Sequence, residues 1–316
     1  MYIGIDLGGT NVAAALVDEN GAIVKRAGIP TAAGGGAKTV IDGLLRVCET
    51  LIEGETAPLS IGIGVPGTVN EESGEVLFTP NLPLSGVNIA RDLHDKYGCP
   101  VCLGNDANCA ALGETIAGCA KGAQDVVFIT LGTGIGGGII LNGRLHTGVN
   151  GAAGELGHMV IIAGGRECGC GRKGCWERYA SASGLNRTAG EFMQTHPDSL
   201  LWELSDGVPA NVNGHLLFDA FRAGDRAAQM TVELYIEHLA AGIVNIINIL
   251  EPEMFCIGGG LSNAWDCFAE PLALAVNAEK YTRTSKESPQ TRIVKAKLGN
   301  DAGIIGAAML GQTDNR

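Results

Sequence analysis

The sequence predicts an α/β fold built from two related halves. Strand-like and helix-like patterns alternate through its first third. A strand, a glycine turn and a second strand occur twice, as GIDLGGTNVAAALVD and FITLGTGIGGGIILN. The length, 316 residues, is that of about two domains.

The elements follow in order. MYIGID reads as a strand, and AAALVDENGAIVKRAG as two more that meet at Glu19-Asn20-Gly21. Residues 38–53 carry Val40/Ile41, Leu44/Leu45, Cys48 and Leu51/Ile52, an apolar stripe at helical spacing. LSIGIGV is a buried strand stopped by Pro66-Gly67, and PVCLG is another, followed by the helix ANCAALGETIAG. A second unit starts near Gly118–Lys121 with DVVFITLGTGIGGGIILNG, again strand, glycine turn, strand. The cysteine-bearing segment after it is irregular. A long helix spans about Asp225 to Leu250 and ends before Pro252; MFCIGGG is a strand running into glycine, and NDAGIIGAAML a closing helix.

Composition narrows the function. A formal charge of −12 makes the chain a poor binder of nucleic acid, whose phosphates require cationic partners. No stretch is expected to have the apolar run of ~18 residues that a membrane span needs, and the first strand pattern starts at residue 2 with no basic-then-apolar leader expected. The expectation is a cytoplasmic protein. Its ten cysteines are then not a disulfide framework. Cys48, Cys99, Cys102, Cys109, Cys119, Cys256 and Cys267 read as small buried hydrophobes.

Gly makes up 48 residues, and three runs stand out. Gly8, Gly9, Thr10 and Asn11 sit between the first two strands, and Gly132, Thr133 and Gly134 between the strands of the second unit. Gly258, Gly259 and Gly260 follow a late strand. Each alone reads as a tight turn, but together they offer backbone N–H groups and hydroxyls to phosphates. None fits the P-loop pattern. The G-x-G-x-x-G of Gly132, Gly134 and Gly137 is followed by a strand, not the helix of a dinucleotide fold.

Cys168, Cys170 and Cys175 form a C-x-C-x4-C cluster, and His158 precedes it by ten residues. Three thiolates and an imidazole make a closed Cys3His set for structural zinc. Metal on one ring nitrogen of His158 leaves the other as a fixed N–H donor. Asn105 and Asp106 stand where a strand meets a helix, which suits either helix capping or a catalytic carboxylate.

DLGGTN, GVPG, NDAN, LGTGIGGG, GELGH and CGCGRKGCWE, in this order and spacing, resemble the ROK family of sugar kinases, most nearly its bacterial glucokinases. The resemblance covers Ile3 to about Leu310. It implies two actin/hexokinase-like (ribonuclease H-like) α/β domains with a sugar and ATP cleft between them. A small domain of 1–117 would be completed by a returning helix at about 300–316, and a large domain of 118–299 would carry the zinc segment 158–175. It makes Asp106 the general base, taking the proton of a hydroxyl as a hexose, glucose first, is phosphorylated by ATP. Gly67, Asn81, Asn105, Glu155, His158 and Glu177 would join it on the sugar. Asp6 would help hold Mg2+ beside the nucleotide-binding glycine runs, and a homodimer or homotetramer is expected. N-acetylmannosamine, N-acetylglucosamine, fructose and allose remain alternative substrates. The family's sugar-responsive repressors carry an N-terminal DNA-binding extension, against which the start at residue 2 and the negative charge argue.

Overall fold

The structure, a computed structural model, describes residues 1–284 and 290–313; the last three positions of the expected segment 300–316 lie outside the described residues. The first elements are β1 (Tyr2–Leu7), β2 (Asn11–Val17), β3 (Ile23–Pro30), α1 (Gly36–Ile52), β4 (Ile61–Val65), β5 (Thr68–Asn70), β6 (Glu75–Phe78), β7 (Val87–Asn88), α2 (Ile89–Tyr97), β8 (Val101–Asn105) and α3 (Asp106–Ile116). There follow β9 (Val126–Leu131), β10 (Ile135–Leu141), β11 (Arg144–Leu145), α4 (Glu177–Ala180), α5 (Ala182–Met193), α6 (Leu200–Leu204) and α7 (Gly214–Arg222). The chain ends with α8 (Arg226–Leu250), β12 (Met254–Gly258), α9 (Trp265–Glu279), β13 (Arg292–Lys295) and α10 (Asp301–Thr313).

Two five-stranded sheets have corresponding orders, β3-β2-β1-β4-β8 and β11-β10-β9-β12-β13, which is the duplication heard in the sequence. A small sheet, β5-β6-β7, is inserted after β4. In the first sheet β1, β2 and β3 form an antiparallel meander, and β4 and β8 add to β1 in parallel. Parallel central strands are covered on both faces, so they read as apolar runs. Ile3, Ile5, Ile61 and Ile63 are fully buried, and α1 packs Val40, Leu44, Val47, Cys48 and Leu51 into the same core.

The chain forms two compact units. The first comprises Met1–Phe128, Gly137–Gly154 and the segment from Ala296; the second comprises Ile129–Gly136 and Glu155–Lys295. The crossing points fall within β9 and β10 rather than at 117/118. The reason is local: a side chain at Gly138 of β10 would reach within 2.5 Å of Ala111 of α3, so the later part of this hairpin packs on the first unit. Helix α10 lies against α3, β1 and β4. The approach is backbone to backbone, since a Cβ at Gly62 would lie 1.7 Å from the Ala307 carbonyl oxygen and one at Gly306 1.7 Å from that of Cys109.

Contrary to the sequence expectation, α8 is long and apolar enough to cross a membrane by length and composition, with a window of hydropathy 1.3. Of that window 61% is buried inside the protein, as in a core helix. Cys48, Cys99, Cys109, Cys256 and Cys267 are buried, and Cys102 and Cys119 partly so.

Candidate active site

The predicted residues fall into two sets, one in each unit. In the first unit, Asp6 near the end of β1 pairs in register with Gly64 of β4, and Gly64 with Gly104 of β8. Asp6, Asn105 and Asp106 therefore stand together at the carboxyl ends of three parallel strands, the edge where open α/β sheets bind ligands. Helix α3 starts here. Asn105 is its N-cap, accepting from the N–H groups of Ala107 (2.9 Å) and Asn108 (3.1 Å). Its amide nitrogen donates to the Gly67 carbonyl at 3.1 Å. Most of Asn105's hydrogen-bonding capacity is thus spent on structure. The cap is Asn105, so Asp106, the first residue of the helix, carries its carboxylate beside that cap; its Oδ1 accepts from Ala107 N–H at 2.9 Å. Gly67 has φ +142°, and a Cβ there would lie 2.1 Å from the Phe78 carbonyl oxygen, so only glycine fits.

The first glycine turn closes with Gly8 N–H donating to Asn11 at 3.0 Å, while Thr31 Oγ1 donates to the Gly8 carbonyl at 2.6 Å. Gly9, Thr10 and Asn11 remain exposed. Asn81 is exposed too, its Cβ 3.7 Å from where a Cβ would stand on Gly9. Burial, and then repulsion by Asp106, raise the Asp6 carboxyl from its ordinary 3.8 to about 6. A carboxylate whose proton affinity is raised by a second one nearby is also a fit for a divalent cation, which relieves the same repulsion.

In the second unit, the isolated bridges Val160↔Cys175 and Glu167↔Lys173 fold the cysteine segment back on itself. The ligand atoms of His158, Cys168, Cys170 and Cys175 all lie within 4.8 Å of one another. His158 Nδ1 is 3.6 Å from Cys168 Sγ, and the Cys170 and Cys175 sulfurs are 3.6 Å apart. A tetrahedral ion with sulfur bonds of ~2.3 Å sets its ligands about 3.7 Å apart, so this donor set fits such an ion. The Arg172 N–H holds the Cys170 thiol below the usual thiol range, which favours the thiolate a metal needs. Glu177 opens α4 with Oε1 3.1 Å from Cys168 Sγ and 3.8 Å from His158 Nδ1. Its Oε2 lies 2.6 Å from the position of a Cβ on Gly134, so this glycine makes room for Glu177. Glu155 is exposed just before the turn that carries His158.

The second glycine turn, at Gly132 and Thr133, meets the third run in one cavity of about 310 Å³, which Gly260 also lines. A model of the ROK family matches residues 2–314. The chain belongs to the ROK family. It is 40% identical over 312 residues to a glucokinase of Thermotoga maritima, covering 98% of this chain and 96% of that protein. It is 34% identical to an N-acetyl-D-glucosamine kinase of Haemophilus influenzae, covering 98% and 99%. Among solved structures it is similar to a ROK family glucokinase from Streptomyces griseus in complex with glucose and AMPPNP. That match has a TM-score of 0.80 and 34% identity over 98% of each chain. With these ROK relatives the chain shares the two-domain actin/hexokinase-like fold.

The sequence reading missed one wall of the ROK protein's cavity. His215, Phe218, Asp219 and Arg222 of α7 line it, together with Asn263. Their segment, GHLLFDAFR, has the pattern of an ordinary amphipathic helix, and no glycine run or paired acid marks it. Arg222 is held in place by Asp266, with Nη2 donating to its two oxygens at 3.2 and 3.1 Å.

Proposed function

We infer that this chain is an ATP-dependent glucokinase. The observation that carries the reading is Asp106 beside Asp6 at the carboxyl ends of β1 and β8, with helix capping supplied by Asn105. The near full-length similarity to glucokinases supports it. Asp106 accepts the proton of the glucose 6-hydroxyl as that oxygen forms its bond to the γ-phosphorus. The bond from that phosphorus to the bridging oxygen breaks, and ADP leaves with the electron pair. Because phosphoryl transfer is loose, positioning outweighs base strength. Gly8, Gly9, Thr10, Asn11, Gly132, Thr133 and Gly134 bind the phosphates. Gly258, Gly259, Gly260 and the α7 wall take the nucleoside. Mg2+, held by Asp6, supplies charge neutralisation on the phosphates.

Gly67, Asn81, Asn105, Glu155, His158 and Glu177 bind the hexose. Asn105 contributes through the single amide hydrogen that the cap and Gly67 leave over. His158, Cys168, Cys170 and Cys175 hold a structural zinc. With Nδ1 turned to the sulfurs, Nε2 of His158 keeps a hydrogen for a sugar oxygen. ATP dependence supports a cytoplasmic setting, and the family supports a homodimer or homotetramer.

A second reading, an N-acetylhexosamine kinase, draws support from the Haemophilus influenzae relative. A coupled assay of ADP release separates the two. Glucose should exceed N-acetylglucosamine, N-acetylmannosamine, fructose and allose in kcat/KM, because a missing or misplaced hydroxyl leaves a buried polar group unpaired at ~1–3 kcal/mol. A higher kcat/KM for an N-acetylated sugar would replace the glucokinase reading.

A further inference from the structure

We propose that Arg166 is a positioning residue that locks Glu177 and the cysteine loop into one frame, an inference that rests on reading this loop as the metal-bound wall of the hexose site. Arg166 stands two residues before Cys168, and its carbonyl accepts from Gly174 N–H at 2.8 Å, next to Cys175. Its backbone therefore joins the two ends of the cysteine segment. Its own N–H donates to Tyr179 Oη at 2.6 Å.

The guanidinium reaches the opposite way, into the helices that follow Glu177. Nη1 donates to the carbonyls of Arg178 at 3.0 Å and Gly184 at 3.3 Å. Nη2 donates to Thr188 Oγ1 at 3.0 Å and Glu191 Oε2 at 2.7 Å. The carbon between them lies 4.9 Å from the centre of the Tyr179 ring, and the side chain is only 12% exposed. A surface arginine pairs with one mobile acid; this one gives four hydrogen bonds to acceptors on α4 and α5. A planar fork can do this, and the ammonium of lysine cannot.

The frame to which Arg166 fastens is held without any metal. Trp176 is fully buried and donates from Nε1 to the His238 carbonyl of α8 at 2.9 Å. The Tyr179 ring packs 4.9 Å from the ring of His238. Arg187 Nε donates to the other oxygen of Glu191 at 3.0 Å, which orients that carboxylate. Arg178 and Tyr179 directly follow Glu177, whose Oε1 is 3.1 Å from Cys168 Sγ. Any slip of residues 166–168 relative to α4 therefore changes the spacing between Glu177 and the metal-ligating atoms.

The experiment uses the zinc-loaded full chain. Wild-type zinc content and glucose phosphorylation are measured first, and absence of either overturns the underlying reading along with this one. Arg166→Lys is then compared with wild type for glucose KM, kcat, melting temperature and the rate of zinc transfer to a chromogenic chelator. Loss of a partner that orients metal ligands costs ~10- to 100-fold in metal affinity or activity. Zinc release roughly tenfold faster and a glucose KM raised several-fold, with kcat nearly unchanged, are expected on that scale. A fall in melting temperature with KM and zinc release at wild-type values makes Arg166 a fold-stabilising residue only and overturns the proposal. If Arg166→Lys does not fold, Tyr179→Phe and Glu191→Ala each remove one partner and are read the same way. Smaller shifts of KM and zinc release together support the proposal, and wild-type values for both variants reject it.

Discussion

Replacing Asp6 by asparagine should stabilise the ligand-free protein at neutral pH while removing its activity. The folded protein raises the Asp6 carboxyl from 3.8 to about 6, through burial and then repulsion by Asp106. An acid with a raised folded-state value binds its proton more tightly folded than unfolded. Stability is therefore highest below about pH 4, falls as pH rises towards about 6, and stays lowered above it. A shift of about two units is worth about 3 kcal/mol at most. Asparagine has no proton to lose, so Asp6→Asn should gain 1 to 3 kcal/mol, to order of magnitude, at pH 7.5 and nothing at pH 4. In a domain of this size about 2 kcal/mol moves the melting temperature by roughly 4–8 °C. Melting curves without nucleotide or Mg2+ at the two pH values measure it. Added Mg2+ and ATP analogue should then reverse the order, because wild type alone gains the cation. A variant equally stable as wild type at pH 7.5, or stabilised by the same amount at both pH values, would refute the argument.

Asp106→Asn should lower turnover by ~10²- to 10⁴-fold with little change in glucose KM, as loss of a general base does; turnover within a few-fold of wild type in the coupled assay would leave Asp106 without a catalytic role. Metal analysis should find about one zinc per chain, and Cys170→Ser should lose it and raise glucose KM; a fully active metal-free protein would reject the zinc assignment. Gly62→Ala drives a methyl group to 1.7 Å from the Ala307 carbonyl oxygen and should cost at least ~2 kcal/mol as α10 is displaced, visible as a lower melting temperature. Unchanged melting would contradict the close packing of α10.

The duplicated sheets were legible because their signal is local. A strand, a glycine turn and a strand lie within about fifteen residues, so two copies can be compared by eye. The cysteine cluster was legible for the same reason, since Cys168, Cys170 and Cys175 are neighbours in sequence and in space. The small β5-β6-β7 sheet was not, because strands as short as Val87–Asn88 carry no periodicity to read. Nor was the crossing between units. There Gly138 lies close against Ala111, residues with no motif in common.

Asn105 and Asp106 mark the limit most clearly. From sequence, a polar pair at a strand–helix junction fits capping and catalysis equally, because both tasks ask for a short acceptor at the same position. The structure makes Asn105 the N-cap, with Asp106 beside it accepting from the Ala107 N–H. Asn105 spends its oxygen on two helix N–H groups and one amide hydrogen on Gly67, and the carboxylate is placed next to Asp6. A neutral amide is suited to the cap, since it satisfies the helix without adding a third negative charge to that edge. The acid is then left where its charge raises the proton affinity of a neighbour. That is an unfavourable arrangement for an empty protein, and one that a cation and a proton-releasing substrate would both relieve. The same comparison separates Glu177 from an ordinary helix-start acid: its oxygens lie against Cys168 and Gly134, so it is placed between the cysteine loop on one side and the glycine turn on the other.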